Sequence, residues 1–263
     1  MIPKIIHYIW LGGTPLTELG EKCLESWKKY CPDFQIICWN ESNFDINQNR
    51  YCKEAWQKKK YAFVSDYIRL YVLFNYGGIY MDTDVELLKP LERFLKHKAF
   101  LGFEGDFFST ALMGSEKKFP LFKEFLDDYH ERIFIKENGK FNTTTNVIYI
   151  YKKCLQKGFK PDDSQKVRKF ENLTLYPTDY FCPKDWRNGE LTCLTENTVC
   201  IHHFAASWLT QRQRNAIFLM NRYRNKFGRW WRIPFSLVHP VLALEQLYKK
   251  FKFRQIIANL TPR

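Results

Sequence analysis

The sequence predicts an α/β fold, a Rossmann-like mixed sheet flanked by helices, and three observations support this class. Apolar, β-rich runs lie at Lys4–Trp10 and Phe34–Trp39, and each ends in a turn-prone segment. Between them, Leu16–Tyr30 carries apolar residues at helical spacing. With 45% hydrophobic and 26% charged residues, the 263-residue chain can bury one sizeable core.

A helix and a strand follow this opening unit. Apolar residues from about Lys53 to Tyr76 keep a helical period, which predicts one helix that stops at Gly77–Gly78. A short strand at Ile79–Met81 then runs into Asp82–Thr83–Asp84. Because ligands collect at the carboxyl ends of strands in open α/β sheets, this acidic segment is the first candidate for chemistry.

The later elements have weaker patterns. We predict helices at Pro120–Ile133 and Thr144–Gln156, and short strands at Leu173–Tyr176 and Thr198–Phe204. The sequence has no internal repeat and no low-complexity segment.

Positive charge is concentrated at the C-terminus. Residues 212–263 hold 12 basic residues and one acidic residue, a net charge of +11, whereas residues 1–211 hold 29 basic and 27 acidic residues, a net charge of +2. We therefore expect a catalytic domain over 1–211 and a basic, aromatic, helical tail over 212–263. A body this close to neutral argues against nucleic-acid binding by the whole protein, and 17% aromatic residues argue against disorder.

Targeting and redox signals are few. The N-terminus has no apolar stretch long enough for a secretory signal, which favours a cytoplasmic location. The most apolar part of the tail, residues 235–244, is far shorter than the roughly 20 residues of a spanning helix. Eight cysteines without a CxxC pair indicate neither a zinc site nor a disulfide framework, so mostly buried free thiols are expected.

The acidic segment has the chemistry of a metal site. Side chains alternate along an extended chain, so Asp82 and Asp84 lie on one face. Two carboxylates this close favour a cation between or beside them, and Mg²⁺ or Mn²⁺ on such ligands often bridges to a diphosphate. Alone the motif is weak evidence, because chance supplies one in roughly every second chain of this composition.

The surrounding residues add specificity. The chain contains PKIIHYIWLGG near its start, WNESN at 39–43, SDYIRLYVLFNYGGIYMDTD at 65–84 and IHHFAASW at 201–208. In this order the four motifs resemble the DXD-containing glycosyltransferase family 32 type, which includes bacterial capsular polysaccharide transferases and fungal α-mannosyltransferases, and more distantly the glucosylating domains of large clostridial toxins. The resemblance implies a GT-A type nucleotide-sugar-binding fold, a divalent metal and transfer with retention of anomeric configuration.

The resemblance also implies roles for residues of the first half. Trp10 matches a tryptophan that stacks on the nucleotide base, and Asn43 a residue on the uridine side of the donor. Asp66 and Arg69, three apart on one helical face, match the pair that holds the donor sugar and its phosphate. Ser65 lies beside them.

The DTD segment and its neighbours complete the implied donor site. Asp82 resembles an aspartate that contacts ribose, sugar and metal-bound water, Asp84 resembles the direct metal ligand, and Tyr80 belongs to the same block. We expect Asp66, Arg69 and Asp82 to be the catalytic residues.

The C-terminal motif matches more loosely. The resemblance implies a further metal ligand here, but its spacing differs between branches of the family, so His202 is the first choice and His203 the second. Strand alternation points one of the two rings inward and the other outward. Ser207 and Trp208 resemble the pair that contacts the β-phosphate.

Several of these residues also have a purely structural interpretation. An aspartate and an arginine three apart are commonly a surface ion pair worth about 0.3–0.5 kcal/mol, and a lone tryptophan such as Trp10 commonly belongs to the core. The four motifs together favour a functional role for the Asp66–Arg69 pair and for Trp10. His7, between apolar neighbours, is expected to be a core histidine rather than a catalyst.

The sequence thus predicts a retaining hexosyltransferase that uses Mn²⁺ or Mg²⁺ and a nucleotide sugar, with a UDP-sugar favoured over a GDP-sugar. The expected acceptor is a saccharide, lipid-linked, in surface polysaccharide synthesis at the inner face of the plasma membrane. Basic and aromatic residues alternate in the tail, which favours contact with anionic lipid; a lobe packed on the body is the alternative. The competing functions are a toxin-like transferase acting on protein and a non-catalytic membrane-binding or nucleic-acid-binding module.

Overall fold

The structure is a computed structural model, and it describes residues 1–162, 166–185, 189–205, 211–230 and 232–239. The chain divides into two compact units. The first comprises Met1–Asp185 with Leu191–Phe204, and the second Trp186–Glu190 with Ala205–Arg263.

Nine strands and eight α-helices form within the described residues. The strands are β1 Ile5–Ile9, β2 Gln35–Trp39, β3 Gly78–Met81, β4 Val85–Leu87, β5 Ala99–Glu104, β6 Phe107–Ser115, β7 Arg168–Phe170, β8 Leu173–Tyr176 and β9 Cys200–His202. The helices are α1 Glu18–Tyr30, α2 Arg50–Gln57, α3 Tyr61–Tyr76, α4 Pro120–Glu131, α5 Asn146–Gln156, α6 Thr178–Phe181, α7 Gln211–Phe227 and α8 Arg232–Val238.

The first unit is built on a mixed sheet. Its strand order is β2-β1-β3-β6-β5-β8-β7, with β1 parallel to β2 and β3, and β5 parallel to β8. The central β6 runs antiparallel to both of its neighbours, β3 and β5. Strands β4 and β9 form a separate antiparallel pair. This mixed sheet flanked by helices confirms the predicted α/β class.

The predicted helix from Lys53 to Tyr76 is wrong as a single element, because the chain breaks between α2 and α3. Lys59 has φ of 53°, the left-handed conformation that ends a helix. The amides of Lys59 and Lys60 donate to the carbonyls of Trp56 and Ala55, as in a Schellman motif. The predicted stop at Gly77 is confirmed, with φ of 69°.

No element is predicted from the sequence over residues 91–119, yet β5 and β6 lie there at the centre of the sheet. Most of their residues are buried on both faces, so they lack the alternation of apolar and polar residues that marks a half-exposed strand. The strands also approach each other closely: a Cβ on Gly114 would lie 2.1 Å from the ring of Phe100.

Two hydrophobic clusters fill the core of the first unit. One includes Tyr67 of α3 and Phe122 of α4, and the other includes Trp27 of α1 and Phe181 of α6. Helix α3 contacts β1, β3 and β6, which holds its inner face beside the end of β3. This packing brings the two halves of the SD-to-DTD block together.

The second unit contains α7 and α8, in agreement with the helical tail expected there. Met220 and Phe235 are buried against each other, with Leu219 and Tyr223 beside them. None of the helices in the described part of the chain combines the length and the apolar character that crossing a bilayer requires. Residues 240–263 of the predicted tail lie outside the described residues.

Candidate active site

The acidic segment lies at the carboxyl end of β3, as predicted. The Asp82 amide donates to the Ala111 carbonyl at 2.8 Å, which extends the β3–β6 pairing by one residue. The Val85 amide then donates to the Asp82 carbonyl at 3.0 Å and closes a turn into β4. The loop Asp82–Thr83–Asp84 is therefore held at both ends by strand hydrogen bonds.

Arg69 of α3 is the buried cation of this site, with its side chain only 6% exposed. Nη1 donates to the carbonyl of Thr110 at 2.7 Å and to its Oγ1 at 3.1 Å. Nε donates to the Ser65 carbonyl at 3.2 Å, and Nη2 donates to Ser65 Oγ at 3.1 Å. These four bonds fix the guanidinium in one orientation.

Two carboxylates and one ring surround the same guanidinium. Arg69 Nη2 lies 3.3 Å from Asp82 Oδ1 and 3.5 Å from Asp66 Oδ1. Its Cζ lies 4.6 Å from the ring centre of Tyr80. Burial opposes the charge of Arg69, but Asp82, Tyr80 and Asp66 raise the pKa of Arg69 above its ordinary value. The site thus contains a permanent positive charge.

Asp66 is held on its other side by the start of α5. The Asn146 amide donates to Asp66 Oδ2 at 3.1 Å, and Asn146 Nδ2 donates to the Asp66 carbonyl at 2.6 Å. Tyr129 Oη in turn donates to Asn146 Oδ1 at 2.7 Å. Burial raises the pKa of Asp66 to about 6, although Arg69 and the Asn146 amide oppose the shift.

Tyr80 connects the arginine to the acidic segment. Its Oη donates to Asp82 Oδ1 at 2.5 Å, a short bond of the charge-assisted kind. Burial raises the pKa of both side chains, and Arg69 opposes the shift in each. Asp82 therefore receives a hydrogen bond and an ion pair on the same oxygen.

Asp82, Asp84 and His202 form a group of potential metal ligands. One ligand atom from each lies within 4.8 Å of the others, and His202 Nε2 lies 3.4 Å from Asp84 Oδ1. His202 faces Val85 across the β4–β9 pair, which carries its ring to the acidic segment. Burial lowers the pKa of His202, but Asp84 and Glu104 raise it above its ordinary value overall. Two carboxylates and an imidazole suit Mn²⁺ and, less specifically, Mg²⁺.

His203 points away from this group, as strand alternation predicts for one of the two histidines. Its Nε2 lies 2.7 Å from Glu86 Oε2, and Lys22 Nζ lies 3.0 Å from Glu86 Oε1. The imidazole of His202, and not that of His203, therefore lies at the acidic segment, although the His203 amide donates to the Asp84 carbonyl at 2.9 Å.

The predicted base-contacting residues form hydrogen bonds with nearby backbone groups. Trp10 is partly buried, and its Nε1 donates to the Thr14 carbonyl at 2.6 Å. Asn43 is exposed; its Nδ2 donates to the Cys38 carbonyl at 2.8 Å, and its Oδ1 accepts from the Asn40 amide at 2.8 Å. The predicted phosphate contacts Ser207 and Trp208 lie outside the described residues.

Residues 17–101, which span α1 to β5 and include the DTD segment, match a family model described as a glycosyltransferase sugar-binding region containing a DXD motif. Among curated proteins, the chain is 26% identical to an uncharacterized glycosyltransferase of Acanthamoeba polyphaga mimivirus, over 85% of this chain and 90% of that protein. The DXD-containing part of the chain is therefore similar to the sugar-binding region of glycosyltransferases.

Other relatives match over shorter stretches. The chain is 32% identical to inositol phosphoceramide mannosyltransferase 3 of Schizosaccharomyces pombe, over 38% of this chain and 29% of that protein. Among solved structures, it aligns with a glycosyltransferase involved in glycosylation of the major capsid of PBCV-1, with 12% identity and a TM-score of 0.41, covering 82% of this chain and all of that one.

His7 is a core histidine, as expected. Trp39 Nε1 donates to His7 Nδ1 at 3.0 Å, and His7 Nε2 donates to the Gly77 carbonyl at 2.8 Å. Burial lowers the pKa of His7 to about 4, so the ring is neutral and both nitrogens are satisfied.

Three polar residues of the candidate site were not predicted from the sequence. Thr110 and Asn146 fix Arg69 and Asp66, and Glu104 lies beside His202, with Oε2 at 3.8 Å from Nδ1. The Thr-Thr-Thr capping signal before α5 was the only local sign near Asn146. Thr110 and Glu104 lie in the unpredicted strands.

Proposed function

We propose that this protein transfers a hexose from a nucleotide sugar to a saccharide acceptor, with a divalent metal and with retention of configuration. One observation carries the proposal. The buried Arg69 is fixed between two carboxylates, Asp66 and Asp82, and the second of these also belongs to the ligand group with Asp84 and His202. Positive charge and sugar-binding carboxylates therefore adjoin a metal-ligand set.

This arrangement suits the charges that develop in glycosyl transfer. When the bond between sugar and diphosphate breaks, negative charge grows on the leaving phosphate and positive charge on the sugar ring. Arg69 stabilises the phosphate, because four hydrogen bonds hold its guanidinium in place before the donor arrives. A bound divalent cation would supply Lewis-acid stabilisation of the same leaving group.

The carboxylates act on the sugar side. Asp66 is fixed by Asn146 and Asp82 is fixed by Tyr80, so both present acceptor oxygens for sugar hydroxyls in defined positions. The anomeric configuration of the product, determined by NMR on an early time point, tests retention. A product of inverted configuration would refute it.

The metal is assigned to Asp82, Asp84 and His202. We expect donor turnover to stop in excess chelator and to return on addition of Mn²⁺ or Mg²⁺, since both suit these ligands. Nucleotide release is the measurement. Full turnover in chelator would exclude a metal-dependent mechanism.

The donor and the acceptor are tested together. The resemblance to family 32 type enzymes favours a UDP-sugar, whereas the S. pombe relative is named for mannosyl transfer to inositol phosphoceramide, a lipid, which supports a hexose donor and a lipid-linked acceptor. Purified protein should release nucleotide from a member of a UDP- and GDP-sugar panel and label a lipid-linked saccharide. Labelling of protein in place of saccharide would favour the toxin-like alternative.

The tail is assigned to the surface of an anionic membrane, on the inner face of the plasma membrane. Exposed apolar side chains follow α7: Trp230 is 61% exposed, and Leu237 of α8 is 79% exposed. Arg222, Lys226 and Arg232 are exposed in the same unit. Apolar groups that enter the headgroup layer beside basic groups bind anionic lipid with only partial screening by salt.

Vesicle flotation tests this assignment. Wild type should float with phosphatidylserine vesicles, and a Trp230→Ser/Leu237→Ser variant should float at least tenfold less. The matched control replaces two exposed leucines of the first unit, Leu191→Ser/Leu194→Ser, and should bind like wild type. Equal flotation of all three proteins, or of none, would reject the membrane assignment.

A further inference from the structure

A second group of ligand atoms lies on the other side of His202. Glu104, Cys182 and His202 each offer one ligand atom, and these atoms lie within 4.8 Å of one another. They come from β5, from the residue after α6 and from β9, so the fold and not a local motif brings them together. Their chemistry differs from that of the DTD side, because one ligand is a thiol.

The imidazole of His202 is unsatisfied toward this group. Its Nδ1 is buried and has no hydrogen-bond partner among the described residues, although Glu104 Oε2 lies 3.8 Å away. A buried polar atom in this state requires an explanation such as an ion. Cys182 is buried, whereas the side chains of Glu104 and His202 are 18% and 13% exposed, so the group has an open edge.

We propose that Glu104, Cys182 and His202 form a zinc site. Thiolate and imidazole bind Zn²⁺ in preference to Mg²⁺ or Mn²⁺, and a carboxylate oxygen is a further zinc ligand, so three protein ligands would leave the fourth tetrahedral position to water. On binding, the Cys182 thiol proton is released to solvent and the sulfur ligates as thiolate. Neither the metal nor the sulfur changes oxidation state.

Because His202 belongs to both ligand groups, zinc in this site and a metal on the DTD side compete for the same imidazole. A neutral imidazole has one lone pair and one N–H. Ligation through Nε2, beside Asp84, places the N–H on Nδ1, whereas ligation of zinc through Nδ1 places it on Nε2. Zinc therefore removes one ligand from the group Asp82, Asp84 and His202 and weakens Mn²⁺ binding there. This coupling rests on the proposed function, whereas the zinc site itself does not.

Direct metal binding tests the site. Metal-free protein should bind about one equivalent of Zn²⁺ in competition with a chromophoric chelator, and Cd²⁺ should give the ultraviolet absorption of a metal–thiolate bond. Cys182→Ser should abolish the absorption and weaken zinc binding about 100-fold or more, since changes outside the ligand set alone cost 10–100-fold. Cys193→Ser is the control, because this partly exposed thiol lies outside the group and should not alter binding.

Two further measurements keep the outcomes distinct. Cys182→Ala and thermal melting followed by circular dichroism separate the loss of a ligand from the loss of the fold. The apparent Kd for Mn²⁺ can be measured from the paramagnetic resonance signal of the free ion. One equivalent of Zn²⁺ should raise this Kd at least tenfold in wild type and leave it unchanged in Cys182→Ser.

Zinc binding by Cys182→Ser that equals wild type, or no stoichiometric zinc binding by wild type, would overturn the site. Mn²⁺ affinity that is unchanged by bound zinc in wild type would overturn the exclusion. If Mn²⁺ fails to bind even without zinc, the proposed metal-dependent function fails while the zinc titration still decides the zinc site.

Discussion

Asp66 is expected to lower the stability of the protein at neutral pH. Its pKa is raised from 3.8 to about 6, first by burial. The folded state therefore binds a proton more tightly than the unfolded state, so the stabilisation from this group is complete below pH 3.8 and is lost as the pH rises through 6. The shift corresponds to about 3 kcal/mol.

Asp66→Asn removes this titration and keeps an acceptor oxygen for the Asn146 amide. We expect the stability of the variant relative to wild type to increase by about 2 kcal/mol between pH 4 and pH 7. Urea unfolding followed by tryptophan fluorescence at a series of pH values measures the difference. Donor turnover should fall by orders of magnitude, because the carboxylate is lost from the sugar side of the site.

An exposed aspartate provides the control. The Asp33 side chain is 73% exposed, so Asp33→Asn should show no comparable change over the same pH range. A stability difference for Asp66→Asn that is flat from pH 4 to pH 7, or that falls, would refute the argument. It would mean that Arg69 and Asn146 compensate fully for the burial of the carboxylate.

Three further predictions follow from the same region. Arg69→Ala should lower the free energy of unfolding in urea by about 3–5 kcal/mol, because buried carboxylates lose their partner; a loss below about 1 kcal/mol, as for a surface pair, would contradict this. His202→Ala should weaken Mn²⁺ binding in calorimetry at least tenfold and His203→Ala less than twofold; the reverse order would exchange their roles. Burial lowers the pKa of His7 from 6.5 to about 4, so the stability of wild type relative to His7→Gln should fall by about 3 kcal/mol from pH 6.5 to pH 4, because only the unfolded state takes up this proton; a difference that stays flat over this range would refute the prediction.

Much of the fold follows from local patterns. The β1–α1–β2 unit and the strand that ends at the DTD segment were predicted within two residues, because their apolar periods and Gly-rich stops are strong. The break at Lys59 was not predicted, since a lysine in the left-handed conformation carries no signal comparable to that of glycine. Strands β5 and β6 were missed because burial on both faces removes their alternation.

The residues of the site likewise fall into those that local patterns predict and those that only tertiary packing brings in. Spacing on α3 predicted that Asp66 and Arg69 share a face, and the order of motifs predicted that the DTD segment belongs with them. The residues that fix them, Thr110 and Asn146, come from distant parts of the chain through tertiary packing. No short-range pattern records such contacts, so the supporting residues of a site are harder to predict than its charged residues.

Burial also changes the meaning of a contact that spacing predicts correctly. Exposed, the pair three residues apart on α3 would be a surface ion pair worth a few tenths of a kcal/mol. In the structure the side chains of Asp66 and Arg69 are only 8% and 6% exposed, and the ionised form of the aspartate is disfavoured despite its partner. Local sequence thus places Asp66 and Arg69 close together. Whether ionised Asp66 stabilises or destabilises the folded state is decided by the strands and helices that exclude water from it. A buried carboxylate that costs stability in this way is consistent with selection for charge in the site rather than for the fold.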